Sequence, residues 1–216
     1  AFVGERRALV DLGAASADAG EAWLCHLNGF AWLGDLRAVG SDQARHHARR
    51  LTTSWIRAHG HWSALPWRPE VTAQRLINWL THFGFFAADA PQEFRLTLYS
   101  ELARQARHLA RNVIKAAASS KRITSLKGLI YCGVSLPGCD KFLHQGLRQL
   151  DLELHRQILP DGGHISRNPS IQLQLLSDLI AVTETLAAAH LEQPVWLKDA
   201  VRLMAPMLRS LRLGDG

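Results

Sequence analysis

The chain has 216 residues, 47% of them hydrophobic, enough for one sizeable core or a short helical array. Its formal charge is +6, with 11 histidines besides, a surface that attracts nucleic acid, anionic polysaccharide or acidic lipid, or that simply stays well hydrated. No stretch nears the roughly 20 apolar residues of a membrane span, no charge run or Gly/Ser linker marks an internal domain boundary, and three cysteines without CxxC or Cys/His spacing argue against a disulfide scaffold.

In chain order, Ala1-Phe2-Val3-Gly4-Glu5-Arg6-Arg7 lacks the apolar centre of a signal peptide, which leaves open a segment removed upstream. Apolar spacing near 3.6 then predicts helices at about 16–28, 41–59, 69–86, 91–115, 122–135, 139–158, 169–191 and 195–211. Gly60, Pro66 to Pro69, Pro91, Pro137-Gly138, Pro160-Asp161-Gly162-Gly163, Pro169 and Pro194 fall between the periodic runs. Ser41 with Asp42, and Asn168 with Pro169, read as helix starts. Short connections predict antiparallel hairpins. An α-solenoid and an α/α toroid both fit, and the absence of a repeat of fixed length lowers the solenoid. Leu211-Arg212-Leu213-Gly214-Asp215-Gly216 reads as a turn leading onward. Cys25 and Cys132 lie in apolar helical context and are expected as buried thiols. Tyr99 and Tyr131 are expected in the core or in a helix seam.

Two stretches have the composition of a binding site. On a helix, Arg75, Asn78, Trp79 and His82 stand at i, i+3, i+4 and i+7, one face, opposite Ala73, Leu76, Ile77, Leu80 and Phe83. Guanidinium, amide, indole and imidazole together suit an acidic sugar: Arg grips a carboxylate, Asn bonds a hydroxyl, Trp stacks. The competing reading is a polar seam between helices with Trp79 half-buried. The second stretch, Leu159-Pro160-Asp161-Gly162-Gly163-His164-Ile165-Ser166-Arg167-Asn168-Pro169, is a glycine-containing loop that closes on a helix start, a place that favours anions. His164, Arg167 and Asn168 are its functional residues, unless it is a tight connector with Asn168 as N-cap.

Two basic stretches read first as solvated faces. They are Arg104, Arg107, His108 and Arg111 with Lys115 beyond, and Arg45-His46-His47-Ala48-Arg49-Arg50. A Gly-rich phosphate loop, HExxH and GxSxG are all missing.

Three places resemble one family. Phe30-Ala31-Trp32-Leu33-Gly34-Asp35-Leu36, the RxxNW run within Arg75-Leu76-Ile77-Asn78-Trp79, and Gln157-Ile158-Leu159-Pro160-Asp161-Gly162-Gly163-His164 are similar to segments of heparinase II/III-like polysaccharide lyases, with Lys127-Gly128-Leu129-Ile130-Tyr131-Cys132-Gly133 in register. The resemblance implies an all-α fold, an incomplete α/α toroid of antiparallel hairpins over residues 1–216, followed by a β-sandwich domain in a longer protein. It implies β-elimination on a uronate polysaccharide. That reaction neutralises the uronate carboxylate, removes the C5 proton and protonates the leaving O4 oxygen.

By this resemblance the substrate-binding residues are Trp67, Arg75, Asn78, Trp79, His82, Lys121, Arg122, Arg167 and Asn168, and His164 is the base. No cofactor and no metal is expected. The partners implied are an acidic polysaccharide and the β-sandwich domain, with nucleic acid the least expected. The compartment implied is the periplasm, with the cytoplasm as alternative. Two departures weaken the lyase. Where the family has an Asn-His pair this chain has Ser120-Lys121, and where it has a Tyr-His pair this chain has Ile171-Gln172. A non-catalytic carbohydrate-binding or assembly module on the same fold is the alternative, and a nucleic-acid-binding helical repeat the third reading.

Overall fold

The structure, a computed structural model, describes residues 20–115 and 119–210. The described residues form two compact units divided after Leu109, within a helix and without a Gly- or Pro-rich linker.

The first unit contains α1 (Glu21–Asn28), α2 (Leu33–Val39), α3 (Asp42–His59), α4 (Pro69–Thr81), α5 (Phe83–Phe86) and most of α6 (Gln92–Asn112). Residues 16–19 of the first expected helix lie outside the described residues. Helix α2 was not expected. Seven residues are too few to display a period, and its end is set by Gly40 at φ 65. Ser41 starts α3 as expected, its Oγ accepting from the Ala44 amide at 3.1 Å.

The single helix expected at 69–86 is broken at His82 (φ −101, ψ 9). Beyond the break, Arg45 Nε and Arg49 Nε of α3 donate to the main-chain carbonyls of Phe85 (3.1 Å) and Phe86 (2.7 Å) and tie the short α5 to α3. The core of this unit is aromatic: Phe30, Trp55 and Trp79 meet edge to face with ring centroids 5.1 to 5.8 Å apart.

The second unit contains the 3₁₀ turn Val113–Lys115, α7 (Ser120–Ser135), α8 (Asp140–Gln157), α9 (Pro169–Ala188) and α10 (Val195–Ser210). Helices α7 and α8 pack closely because glycines stand at their crossing. A Cβ on Gly133 would lie 2.2 Å from the Leu143 amide nitrogen, and one on Gly146 2.7 Å from Ile130 Cγ1. Helix α9 packs on α7 and α10, and α10 also touches α8. Asn168 caps α9 as expected, its Oδ1 accepting from the Ser170 and Ile171 amides at 2.9 and 3.4 Å.

Cys132 is buried and its thiol pKa is pushed well up by burial. Cys25, expected inside, is only partly covered. Tyr99, expected in the core or a seam, is 46% exposed and leans on Phe83 at 5.4 Å. No helix among the described residues is long and apolar enough to cross a membrane.

Candidate functional site

The residues singled out in the sequence fall into one cluster per unit. In the first unit, α4 is buried nearly all round, so the face of Arg75, Asn78 and Trp79 points into protein. Arg75 is wholly inaccessible. Its Nε donates to Gln105 Oε1 at 2.7 Å, Nη1 to the Asn28 carbonyl at 2.9 Å, and Nη1 and Nη2 each to the Pro66 carbonyl at 3.0 Å. Its guanidinium carbon lies 4.1 Å from the centre of the Trp55 ring. Burial pushes its pKa down to about 9, still charged at neutral pH. The guanidinium expected to grip a substrate carboxylate therefore grips the chain itself.

Trp79 is equally buried, and its Nε1 meets no acceptor among the described residues. Asn78 Nδ2 donates to the Gly29 carbonyl at 2.6 Å. Trp67 is 5% exposed, donates from Nε1 to the His59 carbonyl at 3.0 Å, and is covered by Arg104 at 4.7 Å and His108 at 4.9 Å. His82 is partly covered, with Nδ1 lacking a partner among the described residues. Burial, and then the Arg37 charge, lower its pKa.

The second cluster is built by the turn after α8. Leu159-Pro160-Asp161-Gly162 closes with the Gly162 amide donating to the Leu159 carbonyl at 2.8 Å, Pro second and Gly fourth. The Leu159 amide to the Gly163 carbonyl (2.9 Å) and the Ile165 amide to the Gln157 carbonyl (2.8 Å) make a short antiparallel bridge. Asp161 takes the Gly163 amide at 2.9 Å and Arg167 Nη1 at 2.6 Å, and both hold its carboxyl below the usual range. Arg167 is thus turned back on its own loop.

His164 is 6% exposed. The Ser166 amide donates to its Nδ1 at 3.0 Å, and Ser166 Oγ lies 2.7 Å from the same atom. An amide can only donate, so Nδ1 is the acceptor and the ring proton sits on Nε2, facing Gln157 Oε1 at 3.1 Å. Gln157 Nε2 in turn donates to Glu153 Oε2 at 2.9 Å. The other oxygen of Glu153, a carboxylate only 1% exposed, pairs with Arg122 and, at 3.1 Å, Arg156. Burial lowers the His164 pKa. With Nδ1 occupied by the loop and Nε2 by Gln157, the imidazole offers no ready lone pair to a substrate proton.

Gln172 holds the loop down. It accepts from the His164 amide at 2.7 Å and donates to the Gly162 carbonyl at 2.9 Å. Lys121 is exposed at the start of α7. Sequence reasoning missed Gln105, Glu153, Gln157 and Gln172, all 4% exposed or less. One signal was present, because Glu153 and Gln157 interrupt the apolar stripe of Leu150 and Leu154. Among the described residues, no group of three His, Cys, Asp or Glu is placed to hold a metal ion.

These helical hairpins define an all-α protein of the α/α-toroid class. The sequence model described as heparinase II/III N-terminus matches residues 43–209, and the chain belongs to that family. Over 190 residues it is 33% identical to FtsZ-localized protein C of Caulobacter vibrioides, spanning 88% of this chain and only a third of that protein (33%). The crystal structure of heparinase III superposes with a TM-score of 0.77 at 17% identity, over 90% of this chain and 32% of that one. Heparan sulfate lyase HepC of Pedobacter heparinus gives 0.73 at 18% identity, over 91% and 33%. At such identities the two lyases establish the fold class, which agrees with the sequence expectation.

Proposed function

We propose that this chain is the helical part of a non-catalytic member of the heparinase II/III family, acting as a binding module in an assembly that contains FtsZ. One observation carries this reading: the groups that would move protons are absent or engaged. Ser120-Lys121 and Ile171-Gln172 stand where the family resemblance calls for Asn-His and Tyr-His. Gln172 is consumed in holding the turn, and both nitrogens of His164 have partners within the chain. The 33% identity to an FtsZ-localized protein, against 17–18% to the two lyases, supports the same side. In this reading the protein works in the compartment of FtsZ, and the buried thiol of Cys132 is compatible with a reducing one.

The test uses the full-length protein. A fluorescent fusion is expected to co-localise with FtsZ, and the purified protein to release no unsaturated uronate from a panel of polyuronates. Uronate release, seen as new ultraviolet absorbance and lost on His164→Ala, would establish the second reading. That reading is a lyase acting on an acidic polysaccharide, and the likeness to heparinase III and heparan sulfate lyase favours it. A fusion spread evenly through the cell would remove the assembly reading.

A further inference from the structure

Between α8 and α10, wholly within the second unit, runs an open cavity of about 280 Å³. Its floor is apolar: Leu154, Ile158, Trp196, Ala200 and Leu203. Leu203 remains 44% exposed, and Val195 at the start of the same helix 71%. The Pro-Asp-Gly-Gly turn lies hard against α10, because a Cβ on Gly162 would stand 2.2 Å from the Leu203 carbonyl oxygen.

The polar lining is acidic. Asp151 and Asp199 face the cavity, with His155 beside Asp151 at 3.1 Å, and neither Lys nor Arg is among the lining residues. The chain as a whole carries +6, so this lining runs against its average. The cations of α10 fall elsewhere: Lys198 and Arg202 line the neighbouring cavity against α9. Arg202 reaches Asp199 only at 3.7 Å, with both side chains largely exposed, a pairing too loose to neutralise the carboxylate.

A shallow apolar floor with carboxylates on its edge fits one kind of occupant. An amphipathic helix would set apolar side chains at i, i+3 or i+4 and i+7 into the floor and place Lys or Arg over Asp151 and Asp199. We infer that the α8–α10 groove is a docking site for a partner helix of that chemistry, apolar on one face and basic on its flanks. The inference rests on the reading of the chain as an assembly module and names the surface that reading needs.

The experiment measures fluorescence anisotropy of two labelled helical peptides with the full-length protein. The peptides share one Leu face and differ in carrying Lys or Glu on the flanks. The Lys peptide is expected to bind at least tenfold more tightly than the Glu peptide. Leu203→Asp is expected to weaken it tenfold or more, and Asp199→Lys to reverse the preference, with thermal midpoints unchanged. Equal binding of the two peptides, or binding untouched by Leu203→Asp, overturns the groove. So does failure of the wild-type full-length protein to bind, because the rest of the protein would then already fill the site. A dimer that Leu203→Asp dissociates would also overturn it, by making the occupant a second copy. Loss of FtsZ co-localisation with the peptide preference intact would sink the assembly reading and leave the groove standing.

Discussion

Arg75 and Trp55 lie face to face inside the first unit, the guanidinium carbon 4.1 Å from the ring centre and neither side chain more than 1% exposed. A cation held this way is an internal joint between α3, α4 and the segment before Trp67. Removing it strands the Asn28 carbonyl, leaves the Pro66 carbonyl with only the Thr72 hydroxyl at 3.4 Å, and opens a hole beside Trp55. Arg75→Ala is therefore expected to lower the unfolding free energy by about 3–5 kcal/mol. Arg75→Lys should cost nearly as much, since one ammonium cannot serve acceptors placed for a planar fork. Urea denaturation of the two variants checks this. Unchanged stability with weakened ligand binding would return Arg75 to a substrate role.

The second unit contains a comparable joint. Glu153 is a carboxylate 1% exposed, met by Arg122, Arg156 and Gln157. Taking Arg122 away leaves the buried carboxylate only Gln157 and the largely exposed Arg156 as partners, so Arg122→Ala is expected to cost about 1–3 kcal/mol. The double variant Arg122→Met with Glu153→Leu should recover most of that loss, because replacing both members removes the desolvation penalty. Additive losses in the thermal midpoints would refute the coupling.

The Pro-Asp-Gly-Gly turn makes a third case. Gly162 has φ 80 and almost touches the α10 main chain. A methyl group there is both strained and obstructed, and Gly162→Ala is expected to destabilise by about 1–3 kcal/mol or more. Gln172→Ala should cost about 1–3 kcal/mol through the same turn, by stranding the His164 amide and the Gly162 carbonyl. Hydrogen exchange should show both variants loosening residues 159–165 before the rest of the unit.

Much of the helical plan was legible in the sequence, because long amphipathic stripes and proline punctuation report directly on burial and on chain direction. The break at His82 was not, since the apolar spacing runs through it with no proline to mark it. The site was legible as a set of residues but not as a state. Sequence spacing put Arg75, Asn78 and Trp79 on one face correctly, yet a face of polar groups reads the same whether it meets solvent or carbonyl groups. Which it meets is decided by Asn28, Pro66 and Gln105, distant in the chain. The glutamines went unread for a related reason. Gln105 lies between Arg75 and Glu101, and Gln157 between His164 and Glu153. An amide that accepts on one side and donates on the other is the cheapest link between two buried charged or polar groups, and it leaves no motif.

That link bears on pH. In the native state His164 is neutral, with Nδ1 accepting an amide and burial lowering its pKa; burial also lowers that of His82. In the unfolded chain both titrate near the ordinary value, about 6.5. Between the native and unfolded values the unfolded chain binds more protons, so stability must rise with pH across that window. Both contributions are complete above about pH 6.5. They fall as pH drops through that value and level off once it passes the native pKa. The thermal midpoint is expected to decline on acidification from about pH 7.5 to about pH 5. His164→Gln, which never takes a proton, should show a shallower decline than the wild type. His82→Gln should do the same, and the double variant should be the flattest of the four. A wild-type midpoint that climbs as pH falls through this range, with the climb abolished by His164→Gln, would mean that His164 gains a proton on folding, which its contact with the Ser166 amide forbids.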